Sequence, residues 1–260
     1  MSDASRPVRD TGRILRWVLG LQVVLALLLI GLDFGRALPR LIWPSAAPQL
    51  TQPIGPGDQT RRYAPETLPL RAPRPGTRPV PATTDMPSRL DFVDTVWDGA
   101  PVITLTGAIA PGDAARFAEF LAGVDPAPEV AFLNSPGGSV GDALAIGRAL
   151  RDSGAATAMT DSDICLSACP YILAAGVTRS VAPDAMVGVH QHFFDANTVL
   201  PAFIAARDIQ RGQGEVMAYL DEMGVDPLLM QPALVTPPED IYVLTADELT
   251  RYGLVTPPAE

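Results

Sequence analysis

The stretch "EVAFLNSPGGSVGDALAIGRALRDSG" (129–154) decides the fold. Residues 129–134 form a short apolar run of the kind that makes a buried strand. Residues 139–154 place apolar side chains at helical spacing and stop at Gly154. Between them lies "SPGG" (135–138), where Pro136 stiffens the chain and two glycines allow positive φ, so that a backbone N–H can point into a cleft. A strand that turns directly into a helix is the first half of a β-α-β unit.

The pattern continues in both directions. "PVITLTGAI" (101–109) reads as a strand and "GDAARFAEFLAG" (112–123) as a helix with Asp113 as N-cap. Downstream come the short strand "AATAMT", the short helix "SACPYILAAG", and the strands "RSVAP" and "AMVGVHQHF". Residues 200–224 form a long amphipathic helix, and 240–255 a strand followed by a helix capped by Thr245. Repeated strand–helix alternation predicts an α/β domain over 91–260, built on a largely parallel sheet with helices on its faces.

Two segments precede that domain. Arg6, Arg9, Arg13 and Arg16 lead into "WVLGLQVVLALLLIGL" (17–32). The segment 1–36 is read as a cytoplasmic tail and a transmembrane signal-anchor helix, with the basic flank keeping the N-terminus inside. A signal peptide cleaved after "GRA" (35–37) is the alternative. Either way the domain is expected outside the cytoplasm, on the periplasmic face of the inner membrane. Residues 39–87 contain 12 prolines and no apolar period, so 37–90 is expected to be an extended Pro-rich linker.

Charge and composition exclude several functions. Residues 91–260 carry 7 Arg against 23 Asp and Glu, whereas nucleic-acid phosphates demand a basic face. The chain has no lysine, so Ser–Lys dyads, Schiff bases and P-loop chemistry are ruled out.

Chemistry-bearing residues cluster behind the double glycine. Ser167 stands where a loop becomes a helix, a place that suits either a nucleophile or a plain N-cap. His190 and His192, the only histidines, lie two apart on an expected strand and so should face the same side. Cys165 and Cys169 are the only cysteines. In an oxidising compartment they are expected to pair across Ser167, the alternative being two buried free thiols. As zinc ligands, CxxxC followed by HxH has an unusual spacing.

In this order, "VAFLNSPGGSVGDALAIGRAL", "SACPYILAAG", "RSVAPDAMVGVHQ" and "LTADELTRYGLV" resemble the Clp protease proteolytic subunit and the wider ClpP/crotonase superfamily, over residues 101–255. The "CxSAC" serine loop is most similar to membrane-anchored, periplasmic Clp-protease-like proteins. The resemblance implies a ClpP/crotonase-like superhelical fold and a serine peptidase acting on peptides or unfolded segments, without a cofactor. It implies Ser167 as nucleophile, His190 as general base, and Gly138 and Ala168 as oxyanion-hole donors. The family's aspartate precedes the strand matching "YVLT". Strict alignment lands on Ile241, so either a one-residue shift brings in Asp240 as third member or the triad is incomplete. Clp subunits form rings, which makes a homo-oligomer an expectation, with 200–224 in the place of the ring-joining helix. Two rival readings are a binding or scaffold protein that has lost turnover, and a crotonase-like acyl-CoA enzyme, which an extracytoplasmic address disfavours.

Overall fold

The turn at 135–138 joins a strand to a helix in the computed structural model, which describes residues 9–42, 47–50, 56–65, 76–81, 85–192 and 202–257. In chain order the strands are β1 (Thr60–Arg62), β2 (Asp91–Trp97), β3 (Ala100–Thr106), β4 (Val130–Asn134), β5 (Ala156–Met159), β6 (Ile164–Leu166), β7 (Arg179–Val181), β8 (Met186–Val189) and β9 (Asp240–Val243). The helices are α1 (Arg9–Ile42), α2 (Asp113–Ala122), α3 (Val140–Ser153), α4 (Cys169–Ala174), α5 (Ala202–Glu222), α6 (Met230–Val235) and α7 (Ala246–Arg251). Two compact units result, 1–46 and 47–260.

Within the first unit, α1 contains the apolar span Gly12–Leu32, 21 residues with mean hydropathy 2.2 and none of it buried. At 1.5 Å per residue this is ~30 Å, the thickness of a bilayer's hydrocarbon core. The helix is therefore long and apolar enough to cross a membrane. It also runs past Pro39 to Ile42, beyond the expected limit at residue 36.

The second unit contains two mixed sheets rather than one largely parallel sheet. The larger has the order β2-β3-β4-β5-β7 and the smaller β1-β9-β8-β6. The parallel part, β3-β4-β5-β7, is the one that the alternation predicts. Antiparallel pairing enters at the margins, where β2 folds back on β3, and β9 pairs with both β8 and β1. The β2–β3 hairpin turns at Asp98 and Gly99, both at positive φ (51° and 84°), as a two-residue hairpin loop requires.

The helix boundaries follow local chemistry. Ser139 caps α3 and Gly154 closes it in the left-handed region. Thr245 and Glu248 form a reciprocal capping box on α7. Asp113 differs from expectation. The N-cap of α2 is Gly112, and Asp113 is fully buried just inside the helix. Its carboxylate accepts bonds from Arg89, Arg116 and the N–H groups of Leu90 and Ala110. Burial alone would raise its pKa, but these donors outweigh it and hold the carboxyl below the usual range.

The Pro-rich region departs furthest from its reading as an extended linker over 37–90. Leu50 and Leu90 are buried, and Arg61 is 0% exposed. Arg78 forms an ion pair with buried Asp163 at 3.1 Å. Three residues of backbone, Thr60–Arg62, suffice to extend the smaller sheet at the β9 edge. A short edge strand tolerates nearby prolines, because the ladder consumes few N–H groups.

Candidate functional site

Ser167 lies between the end of β6 and the start of α4 with φ 60°. For a residue with a Cβ, the left-handed region costs roughly 1–2 kcal/mol and persists only where the surroundings dictate it. Three contacts do so. The Ser167 N–H donates to the Gly188 carbonyl of β8 at 2.9 Å. Cys165 and Cys169 lie at disulfide distance, bonded across the serine with their Cα atoms 5.0 Å apart. Gly137 packs directly against the serine's root: a methyl placed there would lie 2.5 Å from Ser167 Cβ. A serine on such a strand-to-helix turn projects its hydroxyl outward. Ser167 does not cap α4, whose N-cap is Ala168 without any side-chain cap bond.

The Ser167 hydroxyl instead meets His190, at 2.7 Å from Nε2. His190 follows β8 immediately and is 6% exposed. Its Nδ1 lies 3.1 Å from the Pro238 carbonyl oxygen. A carbonyl can only accept, so Nδ1 carries the proton and Nε2 presents its lone pair to the serine. That is the tautomer a general base needs. Burial pushes the imidazole down to about 4, further lowered by the neighbouring charge of His192 and partly opposed by the Pro238 bond. His190 is therefore neutral at pH 7.

Asp240, expected as the third member, is not the group at Nδ1. That place belongs to the backbone of Pro238, two residues earlier in the turn that leads into β9. Asp240 is buried in β9, in register with Arg62 of β1. The physical reason is the course of the chain: the Asp240 N–H donates to Pro237 O, and this turn carries the Pro238 carbonyl to the imidazole. Asp240→Asn is accordingly expected to leave Ser167 reactivity near the parent value. Loss of a true triad carboxylate costs as much as ~10⁴-fold. The reaction rate with a fluorophosphonate distinguishes these outcomes.

The double-glycine turn is stitched to both neighbours. Ile109 N–H donates to Gly137 O and Ser139 N–H to Ile109 O, while Leu166 N–H donates to Ser135 O. Gly137 and Gly138 adopt φ 99° and 142°, which this threading demands. Gly138 is the parallel bridge partner of Ile109 and is exposed, and Ala168 begins the turn after the serine. Among the described residues, neither the Gly138 nor the Ala168 N–H has an acceptor. Ala168 directly follows Ser167, and Gly138 directly follows Gly137, whose backbone packs against Ser167 Cβ.

His192 does not join the pair. The strand ends at Val189, so strand alternation no longer applies, and His192 Nε2 lies 2.8 Å from the Tyr171 hydroxyl of α4. The sequence reading missed Tyr63, one residue past β1. Its ring lies 4.7 Å from the His190 ring, and its hydroxyl donates to the Pro136 carbonyl at 2.7 Å. Burial raises its pKa to about 12. The only sequence signal was an isolated aromatic residue in a polar, proline-rich stretch.

Together these groups supply a nucleophile, a correctly tautomerised base and two free backbone donors, and can support acyl transfer. No protein-family model matches the chain, and no curated protein is significantly similar to it.

Proposed function

We propose that this chain is a membrane-tethered serine peptidase of the ClpP/crotonase-like class, with its domain on the periplasmic side of the inner membrane. The observation that carries the reading is the 2.7 Å contact between Ser167 Oγ and His190 Nε2, with Nδ1–H engaged elsewhere. Ser167 Oγ attacks the carbonyl carbon of a peptide bond while its proton moves to His190 Nε2. The Gly138 and Ala168 N–H groups hold the oxyanion, and the imidazolium returns the proton to the departing amine. Water then hydrolyses the ester by the same steps. The substrates are peptides or unfolded segments, and the apolar span of α1 holds the enzyme at the membrane.

A second reading, a binding or scaffold protein without turnover, is favoured by one specific observation. The Pro238 carbonyl fixes the tautomer but carries no full charge to stabilise an imidazolium, and burial already disfavours that cation. One experiment addresses both chemistry and address. A charged, membrane-impermeant fluorophosphonate is added to spheroplasts carrying the full chain. Stoichiometric labelling, absent in Ser167→Ala, is the expected result. Labelling only after lysis overturns the location, and no labelling even then favours the scaffold.

A further inference from the structure

Tyr63 belongs to the segment between the apolar helix and the domain, yet it is built into the serine–histidine site. β1 is locked in place just before it. Thr60, Arg61 and Arg62 pair with Tyr242, Ile241 and Asp240, and the Tyr63 N–H extends the ladder to Glu239 O at 3.0 Å. Arg61 is wholly buried and grips Asp58 through its two terminal guanidinium nitrogens, at 2.8 and 3.1 Å. The ring of Tyr63 packs on the apolar cluster of Leu50, Ile164, Leu166, Met186, Ile241 and Val243. On its other side it meets the His190 ring at an interplanar angle of 58°. Its hydroxyl donates to Pro136 O, at the start of the double-glycine turn.

Two roles suit a side chain so placed: a removable plug over the serine, or a permanent strut. The anchoring decides between them. Withdrawing Tyr63 would break the β1–β9 ladder and strip its ring from the apolar cluster, so the segment cannot act as a loosely held stopper. We infer that Tyr63 is a positioning residue: its ring holds the His190 imidazole towards Ser167, and its hydroxyl ties the Pro136–Gly138 turn to the same point. The inference rests on the acyl-transfer reading. The active unit then begins before Tyr63, within the Pro-rich region, and not at residue 91.

The test uses the purified full chain in detergent, with Tyr63→Phe and Tyr63→Ala. Two quantities are measured across pH: the rate of Ser167 labelling by a fluorophosphonate, and the His190 titration by imidazole NMR, assigned with His192→Gln. The groups facing His190 are Ser167, Tyr63, the Pro238 carbonyl and the charge of His192. Tyr63→Ala is expected to slow labelling at pH 7 by about 10–100-fold, the scale of a misplaced reacting group. By admitting water to the imidazole, it should also move the His190 midpoint from about 4 towards its ordinary ~6.5. Tyr63→Phe, which keeps the ring, should retain the low midpoint and most of the rate. Parent-like or faster labelling in Tyr63→Ala, with the midpoint unmoved, overturns the assignment. If neither parent nor variant labels at any pH, the acyl-transfer reading falls. The positioning role, which rests on that reading, then falls with it, whereas a parent that labels beside an unaffected Tyr63→Ala removes the positioning role alone.

Discussion

Exchange of His190 for alanine is expected to slow the reaction of Ser167 with a fluorophosphonate by about 10²–10⁴-fold at pH 7, the usual contribution of a positioned general base. The serine would remain on its strained turn, fixed by Gly188 O and the cysteine pair, with both backbone donors in place. What would be lost is the Nε2 lone pair at 2.7 Å. The parent's pH profile carries a second signature. Only the neutral imidazole accepts the serine proton, so reactivity should rise as pH increases through about 4 and be level by neutrality. An exposed histidine would place that rise near ~6.5. The same burial sets the sign for stability. The folded-state pKa lies below the unfolded value, so the unfolded chain binds the extra proton between the two. This contribution is therefore fully present above ~6.5 and lost as pH falls towards about 4. Parent-rate labelling in His190→Ala would refute its role as base.

Gly137→Ala is expected to destabilise the domain by about 2–5 kcal/mol and to abolish rapid labelling. Positive φ at a residue with a Cβ contributes roughly 1–2 kcal/mol, and overpacking a filled site adds about 1–3 kcal/mol. Here φ is 99°, and the new methyl would meet Leu166 O, Ser167 Cβ at 2.5 Å and Ala168 N at 2.9 Å. These are backbone or root atoms, which no rotamer change can move. Relief requires the 135–138 turn to withdraw from the serine, taking the Gly138 donor with it. Gly154→Ala is the matched control. It also has positive φ, 76°, but nothing lies within 4 Å of the added methyl, so only the backbone cost of about 1–2 kcal/mol applies. Urea denaturation compares the two. Equal losses would mean that the close packing at Gly137 carries no energetic weight.

Much of the larger sheet was legible because its signals are local. Buried parallel strands read as short apolar runs, as in "VAFLN", and α3 declares itself through Ser139, its helical period and Gly154. The Asp98–Gly99 hairpin was equally local and was overlooked, although an Asp-Gly pair beside strand-like residues is a strong turn signal. The small sheet was less legible. β1 and β6 have three residues each, too few to establish any period.

At the site, sequence by itself determined the chemistry of the parts: a serine between two cysteines, a double glycine ahead of it, and histidines behind it. Each is a residue type whose function resides in its own atoms. The resemblance already pointed to His190 as the partner of Ser167; the alternation of side chains alone could not separate the two histidines, and the tertiary structure brings His190 to Ser167 and His192 to Tyr171 because β8 ends at Val189. It also decided that His190 Nδ1 is held by Pro238 and not by Asp240. Every residue has a carbonyl, so a backbone acceptor leaves no mark in the identity of the side chain. Tyr63 is the extreme case. It lies over 100 residues from both Ser167 and His190 in the chain, in a stretch without periodicity, and reaches them only because β1 pairs with β9. Pairing at a sheet edge is made by backbone groups common to all sequences, so it is fixed by the assembled fold.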